Sequence, residues 1–140
     1  MNEVNIIAPY PISLNKYLRI FQNRTYRTKE ANEYKANCLL LAKQAGVLEP
    51  FDEFVVVEIE LYPKLTDTGT KLAKKDSLWM FKVQSIDVDN SLKVLIDSFN
   101  KVIYTDDKKI VSLTIKKCIP YCAEGAVHMK VRKYDYYANI

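Results

Sequence analysis

Apolar and polar residues alternate through FVVVEIELYP, residues 54–63. Val55, Val57, Ile59 and Leu61 face one side, and Glu58 and Glu60 face the other. A period of two is that of a strand with one wet face, and Pro63 ends it. The same period predicts strands in IVSLTIKK, with Val111, Leu113 and Ile115 on one face, and in AVHMKVR, where Val127, Met129 and Val131 alternate with His128, Lys130 and Arg132. Val4 to Ile7 predicts a short strand stopped by APYP, because proline restricts itself and the residue before it. The apolar run LWMFKV, residues 78–83, reads as one more strand.

Two segments carry a helical period instead. In KEANEYKANCLLLAKQAG, Thr28 can cap the start, Ala31, Cys38, Leu41, Ala42 and Ala45 share a face, and Gly46 supplies a left-handed stop. In DNSLKVLIDSFNK, Asp89 serves as the N-cap and Leu92, Leu95, Ile96 and Phe99 make the buried stripe. ISLNKYLRIFQNRTYRT shows no clear period. KLTDTGTKLAKKDS, residues 64–77, reads as a polar loop, VIYTDDKK as a turn, and KYDYYANI as a peripheral tail. Strand, helix, strands, helix, strands in that order predicts an α+β fold, with a mixed or antiparallel sheet packed by two main helices.

The 140 residues are 49% hydrophobic, enough for one compact core and the size of one domain, taken as residues 1–140. The three cysteines, an odd number, and a start without a secretory pattern point to a reducing interior. No apolar run approaches the ~20 residues of a spanning helix, so the chain reads as soluble and cytoplasmic, with no membrane partner. Cys118 and Cys122 lack a second ligand pair, and His128 is the only histidine, which argues against structural zinc. His128 itself falls on the polar side of its strand and reads as a solvated histidine before a general base.

Charge changes the picture more than composition does. The net charge is +4, unevenly spread. Lys16 to Lys43 holds seven basic residues against Glu30 and Glu33, and Lys108 to the end holds seven against Glu124 and Asp135. Between them lies SIDVDNSLKVLIDSFNKVIYTDDKKI, with Asp87, Asp89, Asp97, Asp106 and Asp107. Gathered carboxylates repel one another and bind protons more readily unless a cation sits among them. A basic surface around an acidic centre suits a polyanion held at a metal site, although a charge-balanced solvated surface has the same composition.

Asp87 and Asp89, spaced by two, share a side of an extended entry to the helix. Lys93 lies one turn beyond Asp89, and Asp97 one turn beyond Lys93. A turn back into the sheet would bring Asp106 or Asp107 to the Asp87 end, so that three carboxylates and a lysine converge. Hard oxygen donors suit Mg²⁺ or Mn²⁺. Capping and solvation alone also explain an Asp-x-Asp at a helix start. A calcium loop beginning at Asp87 fails, because its glycine position holds Leu92 and its final glutamate position holds Ser98. The three glycines leave little room for phosphate-cradling loops, and a sugar-nucleotide transferase would need a larger nucleotide-binding domain.

DVDNSLKVLIDSFNKVIYTDDKKI resembles the signature of the RusA family of Holliday junction resolvases: Asp-x-Asp-Asn-x-x-Lys, a helical aspartate, then a Tyr-x-Asp-Asp turn before a strand. PISLNKYLR and RTYRTKEANEYK resemble the family's N-terminal half, so the likeness runs in order from about Pro11 to Lys117. It implies a RusA-like fold and a Mg²⁺-dependent endonuclease, Mn²⁺ substituting, that acts as a homodimer on four-way DNA junctions. Two sites would then nick two strands symmetrically and leave 5′-phosphate ends, in recombination and repair. Carried over by position, Asp87, Asp89 and Asp107 match the metal-binding aspartates, with Asp106 a further candidate, and Lys93 matches the catalytic lysine. Asp97 would orient Lys93 or support the site. Two departures stand out: Ile86 precedes the first aspartate where the family often has a basic residue, a role left to Lys82 or Lys101, and the Lys64–Ser77 stretch looks long.

DNA-binding candidates are Lys16, Arg19, Arg24, Arg27, Lys29, Lys101, Lys108 and Lys109. Tyr17, Phe21 and Tyr26 lie among them, either as stacking rings or as core. Two rivals stay open. One is a metal nuclease preferring flaps or single strands; the other is a non-catalytic DNA-binding protein with a vestigial metal site. The resemblance also hints at a bacterial, phage or prophage origin.

Overall fold

The computed structural model describes residues 2–83 and 85–137. Four strands form the main sheet in the order β1-β6-β4-β5: β1 (Glu3–Ala8), β4 (Val55–Tyr62), β5 (Ile110–Lys117) and β6 (Ala126–Lys133). β6 runs antiparallel to both β1 and β4, whereas β5 lies parallel to β4, so the sheet is mixed. A parallel pair needs a long crossover. Here the crossover carries α3 (Asp67–Ala73), α4 (Trp79–Lys82) and α5 (Val88–Phe99). α1 (Leu14–Tyr17), a hairpin of β2 (Leu18–Phe21) and β3 (Arg24–Arg27), and α2 (Lys29–Gln44) fill the span between β1 and β4. The α+β expectation, two long helices against a mixed sheet, holds.

The strand periods hold where a helix covers the strand. Val55, Val57, Ile59 and Leu61 of β4 and Val127, Met129 and Val131 of β6 are buried against Cys38, Val94, Leu95 and Phe99. On the edge strand β5 the register places Leu113 beside Val57 and Ile115 beside Ile59, yet Val111 and Leu113 stay exposed, because α5 covers this edge only in part and leaves a shallow cleft. The opposite sheet face, bearing Ile7, Glu58, Glu60, Thr114, Lys116 and His128, forms an open cleft. His128 is not simply solvated there: its Nε2 meets the Tyr121 hydroxyl at 2.9 Å, and its ring packs on Tyr62.

α2 begins as its sequence predicts, with the Thr28 hydroxyl accepting from the Ala31 amide at 3.1 Å. It ends one residue short of Gly46, which takes φ 96°. Cys38 and Ala42 are buried, and so is Tyr34, which the expected face omitted. Burial pushes the Cys38 thiol up to about 12.

Three local expectations fail. Residues 64–77 are not wholly loop: the Thr66 hydroxyl accepts from the Gly69 amide at 3.0 Å and starts α3. The run LWMFKV is not a strand but contains the one-turn helix α4, entered through an Asp76 carboxylate that accepts from the Leu78 amide at 2.9 Å. Short apolar runs do not separate the two states, and no neighbouring strand offers pairing. In α5 the buried stripe is Val94, Leu95 and Phe99 with the small Ser91 and Ser98, while Leu92 and Ile96 are only half-buried. The tail is peripheral as far as Tyr137, and residues 138–140 lie outside the described residues.

Gly125 opens β6 at φ 73°, and a Cβ there would lie 2.9 Å from the Tyr62 carbonyl oxygen and 3.2 Å from the Lys64 nitrogen. Backbone cannot yield as a flexible side chain can. Gly125→Ala should therefore cost roughly 2 kcal/mol of unfolding free energy in a urea titration. A change below about 0.5 kcal/mol would show that the turn relaxes.

Candidate active site

α5 divides its charges by face. Asp87 precedes the helix and Asp89 lies in its first turn, both exposed, and Lys93 is exposed one turn later. Asp89 is not the N-cap. Asp87 holds that position, but its side chain makes no capping bond. The Asp87, Asp89 and Lys93 side chains have no hydrogen-bond or ion-pair partner among the described residues. Two exposed carboxylates thus stand at this helix start without a paired lysine or arginine among the described residues, in a chain that has 21 of them.

Asp97, one turn past Lys93, is by contrast fully engaged. Arg27 Nε donates to its Oδ2 at 2.8 Å and Nη2 to its Oδ1 at 3.0 Å. The hydroxyl of buried Tyr17 donates to the same carboxylate. The Arg27 guanidinium holds the Asp97 carboxyl below its ordinary range, against a smaller opposing effect of burial. Arg27 is thus a clamp from β3 to α5 rather than an open phosphate contact, and Tyr17 belongs to the core rather than to a stacking surface. Asp97 makes no bond to Lys93, although both line one open cleft of about 770 Å³ with Tyr26 and Arg27.

Lys35 was not singled out from the sequence. From α2 its Nζ donates to the carbonyls of Asp97 at 2.9 Å and Asn100 at 3.4 Å. An ammonium there satisfies the carbonyls left over where a helix ends and opposes the negative end of its dipole. A lysine beside Tyr34 on the inward side of α2 was the available signal.

Asp106 and Asp107 follow α5 and lead into β5 through a short 3₁₀ turn, Asp107–Lys109. The Asp106 carboxylate accepts from the Lys108 amide at 2.9 Å, which holds its carboxyl low. Asp106 in turn pushes the Asp107 carboxyl up. Asp107 lines a shallow cleft with Ile96, Ile110 and Leu113. The expected convergence of Asp87, Asp89 and Asp107 into one set is not seen: among the described residues no three Asp, Glu, His or Cys side chains are grouped to hold a metal ion. The Asp87–Asp89 pair by itself does fit the way Mg²⁺ is commonly held, through one or two carboxylates with water and substrate phosphate completing the shell.

Of the basic candidates, Lys16, Arg19, Arg24, Lys29, Lys101 and Lys108 are exposed. Arg19 donates to the Asn15 carbonyl. Lys109 is partly engaged, 3.8 Å from Asp52 and 5.5 Å from the Phe54 ring centre. Lys82, considered in place of a base at Ile86, is paired with Asp76, and the Ile86 amide donates to the Tyr10 hydroxyl at 3.2 Å. No helix among the described residues is long and apolar enough to cross a membrane.

The lowered Asp97 carboxyl has a pH consequence. It contributes stability that is full above the unfolded value, near 3.8, and is lost as pH falls through the lower folded value. Acid titration of stability should fall less steeply below about pH 4 for Asp97→Asn than for the unmodified chain. Equal slopes would mean that the ion pair does not form in solution.

Comparison with known proteins agrees with the charge pattern on α5. No curated protein matches the chain. Residues 9–132, which hold α1, the hairpin, α2, α5 and all but the last residue of β6, match the family described as Endodeoxyribonuclease RusA. The chain belongs to this RusA family of Holliday junction-resolving endodeoxyribonucleases.

Proposed function

We propose that the protein is a Mg²⁺-dependent endonuclease, with Mn²⁺ able to substitute, that acts as a homodimer and resolves four-way junctions by paired symmetric nicks. The carrying observation is that Asp87, Asp89 and Lys93 stand exposed and unpaired among the described residues at the start of α5, in a chain of an endodeoxyribonuclease family. A DNA-binding protein without catalysis gains nothing from two bare carboxylates beside phosphate, because each repels it.

Asp87 and Asp89 would hold the ion, and Asp107 would join them on DNA binding, since no group of three forms among the described residues. The ion would supply polarisation of the phosphodiester and a more acidic water. Lys93, one turn along the helix, places an ammonium where negative charge grows on the phosphoryl oxygens. Water bonds to phosphorus, the bond to the 3′ oxygen breaks, and that oxygen takes up a proton. The products are a 5′-phosphate and a 3′-hydroxyl. Lys16, Arg19, Arg24, Lys29, Lys101 and Lys108 would neutralise backbone phosphates, making binding steeply salt-dependent.

Asp89→Asn should reduce cleavage of a synthetic four-way junction by at least about 100-fold while junction affinity holds or rises, since one repulsive charge is gone. Lys93→Ala should slow single-turnover cleavage by about 100-fold with a much smaller effect on affinity. Cleavage by Asp89→Asn at the unmodified rate would remove Asp89 from the mechanism. A Lys93→Ala defect confined to affinity would make Lys93 a docking residue.

A further inference from the structure

The hairpin β2–β3 stands apart from the main sheet. Two strands alone are marginal in water, so its fixed position comes from its anchors. Its turn is Gln22-Asn23, with φ 50° and 61°, the left-handed pair that a tight hairpin requires. The register pairs Leu18 with Arg27, Arg19 with Tyr26, Ile20 with Thr25, and Phe21 with Arg24. Cross-strand partners share a face, and successive pairs alternate faces. Leu18, Ile20, Thr25 and Arg27 therefore share one face, which is anchored at its open end by Leu18 and Arg27 while Ile20, near the turn, is exposed. Leu18 packs on the core, and Arg27 grips Asp97.

The outer face is Arg19, Phe21, Arg24 and Tyr26, with nothing else on it. Each ring lies across from a guanidinium. Phe21 is 65% exposed and Tyr26 46% exposed. No acidic residue lies on the hairpin, and the nearby Asp97 is already neutralised by Arg27. Arg24 has no partner among the described residues. Four flat groups of two kinds, cationic and aromatic, match a nucleic acid with accessible base faces. A continuous duplex offers phosphates to the arginines but hides its base faces inside the stack. A branch point offers both, because the terminal pairs of its arms have lost a stacking neighbour.

We infer that the outer face of the β2–β3 hairpin reads the branch point of the junction: Phe21 and Tyr26 stack on base faces where the helical stack breaks, and Arg19 and Arg24 hold the flanking phosphates. The inference rests on the junction reading above and makes the hairpin the source of structure selectivity. Tyr26 and Lys93 line the same cleft, so a strand held by the hairpin passes the catalytic face of α5.

The test compares binding of a labelled four-way junction and a linear duplex of matched sequence, without divalent cation so that no cutting intervenes. The unmodified chain, Phe21→Ala, Tyr26→Ala and Phe21→Trp are measured side by side. Both rings are exposed, so the variants should fold normally. Each alanine variant should lose about tenfold in junction-over-duplex preference. Phe21→Trp should keep the preference and show fluorescence quenched by junction but not by duplex, above the signal of the native Trp79, the chain's single tryptophan. Alanine variants with full preference would overturn the inference and leave the resolvase reading standing. A shift from dimer to monomer in Phe21→Ala would overturn it too, by making this face a subunit contact. An unmodified chain with no preference for the junction would overturn both.

Discussion

Asp97 accepts both arms of the Arg27 guanidinium and the hydroxyl of buried Tyr17, while Lys35 holds the carbonyl of the same residue. Four elements meet at this one position: α1, β3, α2 and α5. The Coulombic gain is modest, because both partners of the ion pair are more than a third exposed and screened by water. Geometry and satisfaction count for more. A bidentate pair fixes direction as well as distance, and without Asp97 the Tyr17 hydroxyl would lose its main acceptor in a place that water reaches poorly. The hairpin has no sheet neighbour of its own, so this clamp, with Leu18 packed on the core and Thr28 bonded to the Lys16 and Tyr17 carbonyls, holds its orientation.

The clamp also sorts the charges of α5. Asp97 is neutralised by Arg27, and the carbonyls at the helix end are taken up by Lys35. What remains without a paired partner among the described residues is the start of the helix, where Asp87, Asp89 and Lys93 are exposed. Carboxylates near a helix N-terminus gain from its dipole, which lets two of them persist without a paired cation. A second uncompensated point follows the helix, where Asp106 raises the Asp107 carboxyl. Among the described residues the carboxylates do not come together in a group of three.

The legible parts of the sequence were those governed by local rules. The period of two in β4 and β6 and the Thr28 cap and Gly46 stop of α2 all depend on neighbours within a few residues. Roles set by distant partners were not legible. Arg27 counted as a phosphate contact because nothing nearby announces Asp97, 70 positions away. Lys35 was overlooked for the same reason. The 78–83 run failed as a strand because pairing is a tertiary property that apolar content does not encode. Val111 and Leu113 alternate as core residues do, yet the strand sits at an edge that α5 covers only in part. Convergence of Asp107 with the Asp87 pair rested on chain reversal and on the family resemblance, neither of which fixes how the turn after α5 sits, and among the described residues no such group of three forms.

Arg27 and Asp97 couple the hairpin to the helix that bears Asp87, Asp89 and Lys93 at its start. A double-mutant cycle in urea, with Arg27→Ala, Asp97→Ala and both together, measures that coupling directly. The account predicts a coupling energy of about 1 kcal/mol or more, so that the double variant is clearly less destabilised than the two single losses summed. Losses that add to within about 0.3 kcal/mol would contradict it and leave the hairpin and α5 as independent parts.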